Sequence, residues 1–296
     1  CQLKMLHMLC ILMLALPLEK AIVLGKVDIP TKQIAPGVHM PVISIGTGGW
    51  EMSNAYNITK YWLKLGGRGI DCAQMYSNQA EVAKAIADVG IDRKELFITT
   101  KISGCLNVKA NVMEDLALLG VSYIDLLLIH FPMPMSSCIT AWPILEDFHA
   151  RGVLRSIGVS NFNKANLQLL LKIAKIKPSV NQIKYSITDY DDEAVNYAMD
   201  NGITTESWSP FRKHSWNGDI SDNPALQSVA SHHNVTTYQA AARWVIQNGH
   251  VLTFQSSSEK HQESDADIFN FALTADEMSR LDEQQSAADS QSALIF

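Results

Sequence analysis

Asp71, Tyr76, Lys101 and His130 are the residues whose types and spacing could do chemistry together. Each stands at or just beyond the end of a short apolar run: Gly69–Asp71 with Tyr76 shortly after it, Leu96–Lys101, and Ile124–His130. An acid, a phenol, an amine and an imidazole on neighbouring strand ends would make a proton-transfer site. A phenol with its ordinary pKa of about 10 is a poor acid at neutral pH. An ammonium within hydrogen-bonding reach favours the phenolate, so Lys101 is expected to lower the Tyr76 pKa and ease proton release. A partly buried ammonium needs an anion to stay charged and fixed, and Asp71 supplies one. His130, beside the phenol, could donate a hydrogen bond to a substrate oxygen and orient it. Such an acid suits carbonyl reduction, which needs a hydride donor and a proton donor at the same carbonyl.

The elements that must hold these side chains alternate from Pro41 onward. Strands read as Pro41–Thr47, Arg68–Cys72, Leu96–Lys101, Ile124–His130, Leu154–Val159, Ser179–Ile183, Thr204–Ser207 and Val251–Phe254. Leu126 to Ile129 are all apolar, as a strand buried on both faces requires. Helices read as Ala55–Leu65, Asn78–Val89, Val108–Leu119, Trp142–Arg151, Lys164–Ala174, Glu193–Asn201, Ala225–His233 and Thr237–Asn248. Two more fall near His261–Asp267 and from Thr274 onward. Gly66-Gly67 supplies the positive φ that ends the first helix.

About eight strand–helix units with no linker between them imply a parallel sheet with right-handed crossovers. A doubly wound sheet would carry G-x-G-x-x-G after its first strand. Gly46 and Gly48 fit its start, but the third position is Glu51. Polar residues at strand C-termini fit an α/β fold of the (β/α)8 TIM-barrel type, whose active sites lie on that rim. The expected division is a leader over residues 1–30, a single barrel domain over 31–285 and a tail over 286–296. Thr31–Met40, turning at Pro36-Gly37, reads as a hairpin closing the barrel bottom.

Composition narrows the partners. A net charge of −6 without a basic cluster argues against nucleic acid and for a small-molecule partner. The five cysteines are scattered without CxxC pairs, which reads as reduced thiols or packing residues, with no disulfide framework and no metal site. His232 and His233, adjacent on a helix, are expected to face apart. Met5–Leu18 is almost wholly apolar and resembles a signal-peptide core, too short to span a bilayer comfortably. Were it a functional signal, the setting would be secretory or organellar, and the Asn57 and Asn234 sequons would matter. The alternative is a leader without cellular meaning. No membrane association is expected of the mature form.

On these residues the chain resembles the aldo-keto reductase family. Gly69-Ile-Asp-Cys-Ala-Gln-Met-Tyr76 is similar to its G-x-D-T/S-A-x-x-Y motif, and Leu96–Lys101 and Ile124–His130 resemble its lysine and histidine strands. Arg155–Phe162 resembles the G-V-S-N-F signature and Val180-Asn-Gln182 the N-Q strand. The resemblance covers residues 32 to 285. It implies a catalytic tetrad of Asp71, Tyr76, Lys101 and His130, with Tyr76 as general acid and an aldehyde or ketone reduced by hydride from NAD(P)H. It also implies that Ser160, Asn161 and Gln182 hold the nicotinamide carboxamide and Trp208 stacks on the ring. Thr47, Asp71, Ser209 and Ser256 would complete the cofactor site. Trp50, His130 and Phe131 would line the substrate pocket. A monomer in the cytoplasm is the family habit.

The adenine end departs from the pattern. Gln255 and His261 stand where the family has a lysine and an arginine for the 2′-phosphate, leaving Ser256 and Lys260. Two lost cations weaken a phosphate site. NADP(H) is favoured by resemblance, and NAD(H) stays open. Lys184, Ser186 and Ile187 replace a Glu and His-Pro that often follow the N-Q strand. The loops Trp50–Asn54, Met133–Ile139 and Phe211–Asp222 would set specificity, and Trp50, Phe131, Trp142 and Trp216 could line an apolar pocket or, for Trp50 and Trp142, pack beneath it. Two other readings stand beside the reductase: a nucleotide-binding regulatory barrel with weak or no turnover, and an aldolase using Lys101 as a Schiff base.

Overall fold

The alternating strands and helices close into a ring. The computed structural model describes residues 27–48, 54–212 and 218–285. It opens with an antiparallel hairpin, β1 (Thr31–Ala35) and β2 (Val38–Pro41), turned at Gly37 with φ 73°. Parallel strands follow: β3 (Ile43–Gly46), β4 (Gly69–Asp71), β5 (Phe97–Ile102), β6 (Ile124–Ile129), β7 (Leu154–Ser160) and β8 (Val180–Ser186). A short β9 (Asp189–Tyr190) folds back antiparallel on β8, and β10 (Thr204–Trp208) and β11 (Val251–Phe254) complete the set. β10 pairs with both β8 and β11, and β11 pairs with β3, so eight parallel strands form a closed barrel. Closure leaves the ring without an open edge.

Among the described residues ten helices wrap it: α1 (Ala55–Leu65), α2 (Gln79–Val89), α3 (Val108–Leu119), α4 (Met135–Ala150), α5 (Lys164–Leu171), α6 (Asp192–Asp200), α7 (Pro224–His233), α8 (Thr237–Gln247), α9 (Glu259–Ala266) and α10 (Ala275–Asp282). Two carry full capping boxes, Thr236 with Gln239 on α8 and Thr274 with Glu277 on α10, which satisfy the first orphan N–H groups. None of the described helices is long and apolar enough to cross a membrane. The hairpin lies at the N-terminal end of the strands: Val42 N–H donates to Pro30 O and the Lys32 ammonium to Gly249 O, just before β11. That is the barrel bottom, as the sequence leads one to expect.

One packing contact sets the strand that carries Asp71. Trp62 of α1 is fully buried and donates from Nε1 to Gly69 O at 2.8 Å. Gly67 passes so close that a Cβ there would lie 2.0 Å from the indole. Only glycine fits, and the helix is thereby locked onto the start of β4.

Several expectations change. Pro41 ends β2, not the first barrel strand. α4 starts at Met135, so most of the expected Met133–Ile139 loop is helix; Met-Ser-Ser-Cys carries no cap or apolar period to announce it. Trp142 is fully buried, bonded to Ile176 O, and packs in the core instead of lining a pocket. The reduced-thiol reading fails for two of the cysteines: Cys105 and Cys138 form a disulfide with Cα atoms 4.7 Å apart. Spacing could not reveal it. β5 and β6 are neighbours, so the loop after β5, which carries Cys105, meets the first turn of α4, which carries Cys138, although the two stand 33 positions apart. Cys72 is free and buried. The leader with Met5–Leu18, Trp50, Trp216 and the tail beyond Gln285 lie outside the described residues.

Candidate active site

Three adjacent strands deliver the four side chains to one rim. Asp71 is the last residue of β4, Lys101 lies near the end of β5, and His130 follows β6 directly. Tyr76 sits on the single 3₁₀ turn Gln74–Tyr76 that follows β4. The Lys101 ammonium pairs with Asp71 Oδ1 and donates to Cys72 O at 3.2 Å. It lies 5.2 Å from the Tyr76 ring centroid. The His130 ring meets Tyr76 edge-on at 5.8 Å and stacks on Phe131 at 4.4 Å. Gly48 lets the backbone pass the phenol, since a Cβ there would come within 2.6 Å of Tyr76 Cζ.

The electrostatics correct one expectation. Burial raises the Tyr76 pKa, and the nearby Lys101 ammonium lowers it by less, so the phenol stays above its ordinary value. Lys101 is 0 % exposed. Burial alone would depress its pKa, yet the Asp71 carboxylate, with Tyr76 behind it, outweighs burial and holds it above the ordinary value. A raised pKa disfavours the free amine that a Schiff base needs, which argues against the aldolase reading. His130 is pushed down to about 3, by burial first and by Lys101 second, so its ring is neutral near pH 7.

Three strands further round, the expected cofactor positions gather. Ser160 Oγ donates to Gln182 O at 2.8 Å. Asn161 Nδ2 donates to His130 O at 2.9 Å, and Asn161 Oδ1 accepts from Trp208 Nε1 at 3.1 Å. Asn161 and Ser209 both take positive φ, 60° and 55°, where the chain turns off β7 and β10. Thr47 N–H and Oγ1 both donate to Asp71 O, at 2.9 and 3.3 Å. Ser256 lies off β11 beside exposed Gln255, with Lys260 and His261 exposed on α9. A groove of ≈ 660 Å³ between α3 and α4, beside the disulfide, lies off this rim and contains none of the four residues.

Comparison with known proteins decides the family. The model of the Aldo/keto reductase family matches residues 42–285. The chain belongs to the aldo-keto reductase family. It is 36% identical to a glyoxal reductase of Bacillus subtilis over 258 residues, 85% of this chain and 91% of that protein. It is 36% identical to an aldo-keto reductase of Mycolicibacterium vanbaalenii, covering 86% of this chain and 91% of the other. Among solved structures, an aldo-keto reductase from Brucella melitensis superposes with a TM-score of 0.81 at 32% identity, over 87% of this chain and all of that one. A Bombyx mori aldo-keto reductase in complex with NADP superposes with a TM-score of 0.80 at 28% identity, over 88% and 94% of the two chains. The protein is therefore an NAD(P)-dependent oxidoreductase on a TIM barrel.

Two features of this aldo-keto reductase escaped the sequence reading. Glu206, on β10, is buried in the barrel beside Gln182; an acid inside a buried strand was the available signal. His232 and His233 do not face apart: both rings reach Glu277 of α10, at 2.7 and 2.9 Å, because the helix ends there and the rings swing together.

Proposed function

We propose that the protein reduces an aldehyde or ketone to an alcohol, with Tyr76 giving the proton to the carbonyl oxygen. The observation that carries this reading is the sealed Lys101–Asp71 pair lying against the Tyr76 ring. A phenol held neutral is the form that can donate. As its proton leaves, the Lys101 cation stabilises the phenolate, and Asp71 keeps that cation in place. Neutral His130 has a buried Nδ1 without a partner among the described residues, and in its Nε2–H tautomer Nε2 is the nitrogen that would donate to the substrate oxygen.

The residues fit a nicotinamide dinucleotide. Gln182 directs Nε2 into the barrel and leaves Oε1 without a partner among the described residues. Ser160, Asn161 and Gln182 would hold the carboxamide, and half-buried Trp208, pinned by Asn161, would cover the ring. The dinucleotide would supply hydride. Phe131, stacked on His130, would form one wall of the substrate pocket. NADPH is the favoured form, and the exposed Gln255 and His261 support a preference over NADH weaker than two permanent cations would give.

The test follows nicotinamide absorbance with a panel of aldehydes and ketones. Wild type should consume NADPH, and Tyr76→Phe should lose turnover by about 10²- to 10⁴-fold while still quenching tryptophan fluorescence on dinucleotide binding. Wild type that binds dinucleotide but turns over no member of the panel would instead support a regulatory barrel.

A further inference from the structure

A second carboxyl group lies inside the barrel, reached through Gln182. Glu206 is 0 % exposed and pairs in strand register with Gln182. Gln182 Nε2 lies 3.1 Å from Asp71 Oδ2 and 2.8 Å from Glu206 Oε2. Asp71 already accepts the Lys101 ammonium through its other oxygen. The Gln182 atom touching that anion must therefore be the nitrogen, whose two hydrogens serve both acids. With the nitrogen held inward, the amide oxygen faces the other way. Glu206 Oε1 has no partner among the described residues.

The charged groups acting on Glu206 are Asp71 from β4 and Lys101 from β5; on β11 its register partner is Val251, which brings no charge. Burial first, and Asp71 second, keep the Glu206 proton well above the ordinary carboxylate range, against the opposing pull of the Gln182 bond and Lys101. Because Oε2 accepts from Gln182, a proton on Glu206 would sit on Oε1. Held neutral, Glu206 leaves Asp71 as the anion that partners Lys101.

We propose that Glu206 is a positioning residue for the dinucleotide: with Asp71 it clamps the Gln182 amide nitrogen so that Gln182 Oε1 stands at the rim as an acceptor for the carboxamide N–H. The inference rests on the reading of Ser160, Asn161 and Gln182 as the carboxamide site. Without Glu206, Gln182 keeps a single anchor, and the amide gains the freedom to turn away from the rim. An ionised Glu206 would keep the clamp but add a second anion beside Lys101, opposing its stabilisation of the Tyr76 phenolate.

The test measures NADPH dissociation constants and pH–rate profiles for full-length wild type, Glu206→Met and Glu206→Gln. Glu206→Met is expected to weaken NADPH binding by about tenfold, roughly the worth of one buried hydrogen bond. Glu206→Gln, which keeps a neutral acceptor, should regain most of that loss. Wild-type kcat/KM should fall on the alkaline side with an ionisation that Glu206→Gln lacks. NADPH binding by Glu206→Met within twofold of wild type overturns the proposal. So does a Glu206→Gln variant that binds NADPH no better than Glu206→Met, and Glu206→Thr, too short to reach Gln182, replaces Glu206→Met in both comparisons if Glu206→Met does not fold. Wild type that binds no dinucleotide would refute the cofactor reading itself, a result distinct from either.

Discussion

Lys101 and Asp71 form an ion pair that solvent does not reach, set against the ring of Tyr76. Removing one partner strands the other as a buried charge. Lys101→Met is expected to cost about 3–5 kcal/mol of stability and most of the turnover. Adding Asp71→Asn to it should restore part of the stability and none of the turnover. Urea unfolding of both singles and the double variant measures the coupling; fully additive losses would show that the pair is not held as described.

Glu277 ties two helices together through acid-sensitive bonds. Burial opposes its charge, but the His233, Thr274 and His232 bonds win and lower its pKa from 4.5 to about 2. A depressed carboxylate contributes stability that is complete above its unfolded pKa and fades as pH falls towards the folded one. The window therefore runs from about 4.5 down to about 2, and the contribution is on the order of 3 kcal/mol. Melting curves across that window should be shallower for Glu277→Gln than for wild type. Parallel curves would remove Glu277 from the acid response.

The Cys105–Cys138 bond closes a loop of 33 residues that includes α3 and β6. The chain-entropy view gives such a bond about 4 kcal/mol. Reductant, or Cys138→Ser, should lower the melting temperature by several degrees, and reductant should then have no further effect on the variant. Equal melting temperatures with and without reductant would contradict the bond.

Gln255 and His261 predict a modest discrimination between the two dinucleotides. Replacing them together, Gln255→Lys with His261→Arg, should tighten NADPH binding by about tenfold and leave NADH nearly where it was. The gain should shrink with salt, because both positions are exposed. Titration of each dinucleotide against wild type and the double variant reads this directly. An equal gain for NADPH and NADH would mean that these positions do not meet the 2′-phosphate.

The order of strands was legible in the sequence because each barrel strand is a short apolar run ending in a polar residue. β11 is read to the residue, and Leu126 to Ile129 announce a strand buried on both faces. What escaped depends on contacts between distant segments. Cys105 and Cys138 carry no local signal of pairing, since only the adjacency of β5 and β6 brings the loop after β5 against the start of α4. The direction of the Tyr76 shift is not legible either, because the sequence shows the ammonium but not the depth of burial. Glu206 gives no signal of its role within Thr204–Trp208, where neither the strand pattern nor the motif gives an acid a partner. Its partner is Gln182, reached only when β10 lies against β8.

That closure has a consequence for how activity is acquired. The Gln182 bond to Asp71 joins residues 111 apart in the chain, and Glu206 comes later still. No N-terminal fragment that stops before β10 contains the whole polar cluster, however well its helices form. During refolding, helical signal should return ahead of reductase activity, because the chemistry waits for the last strands to complete the circle.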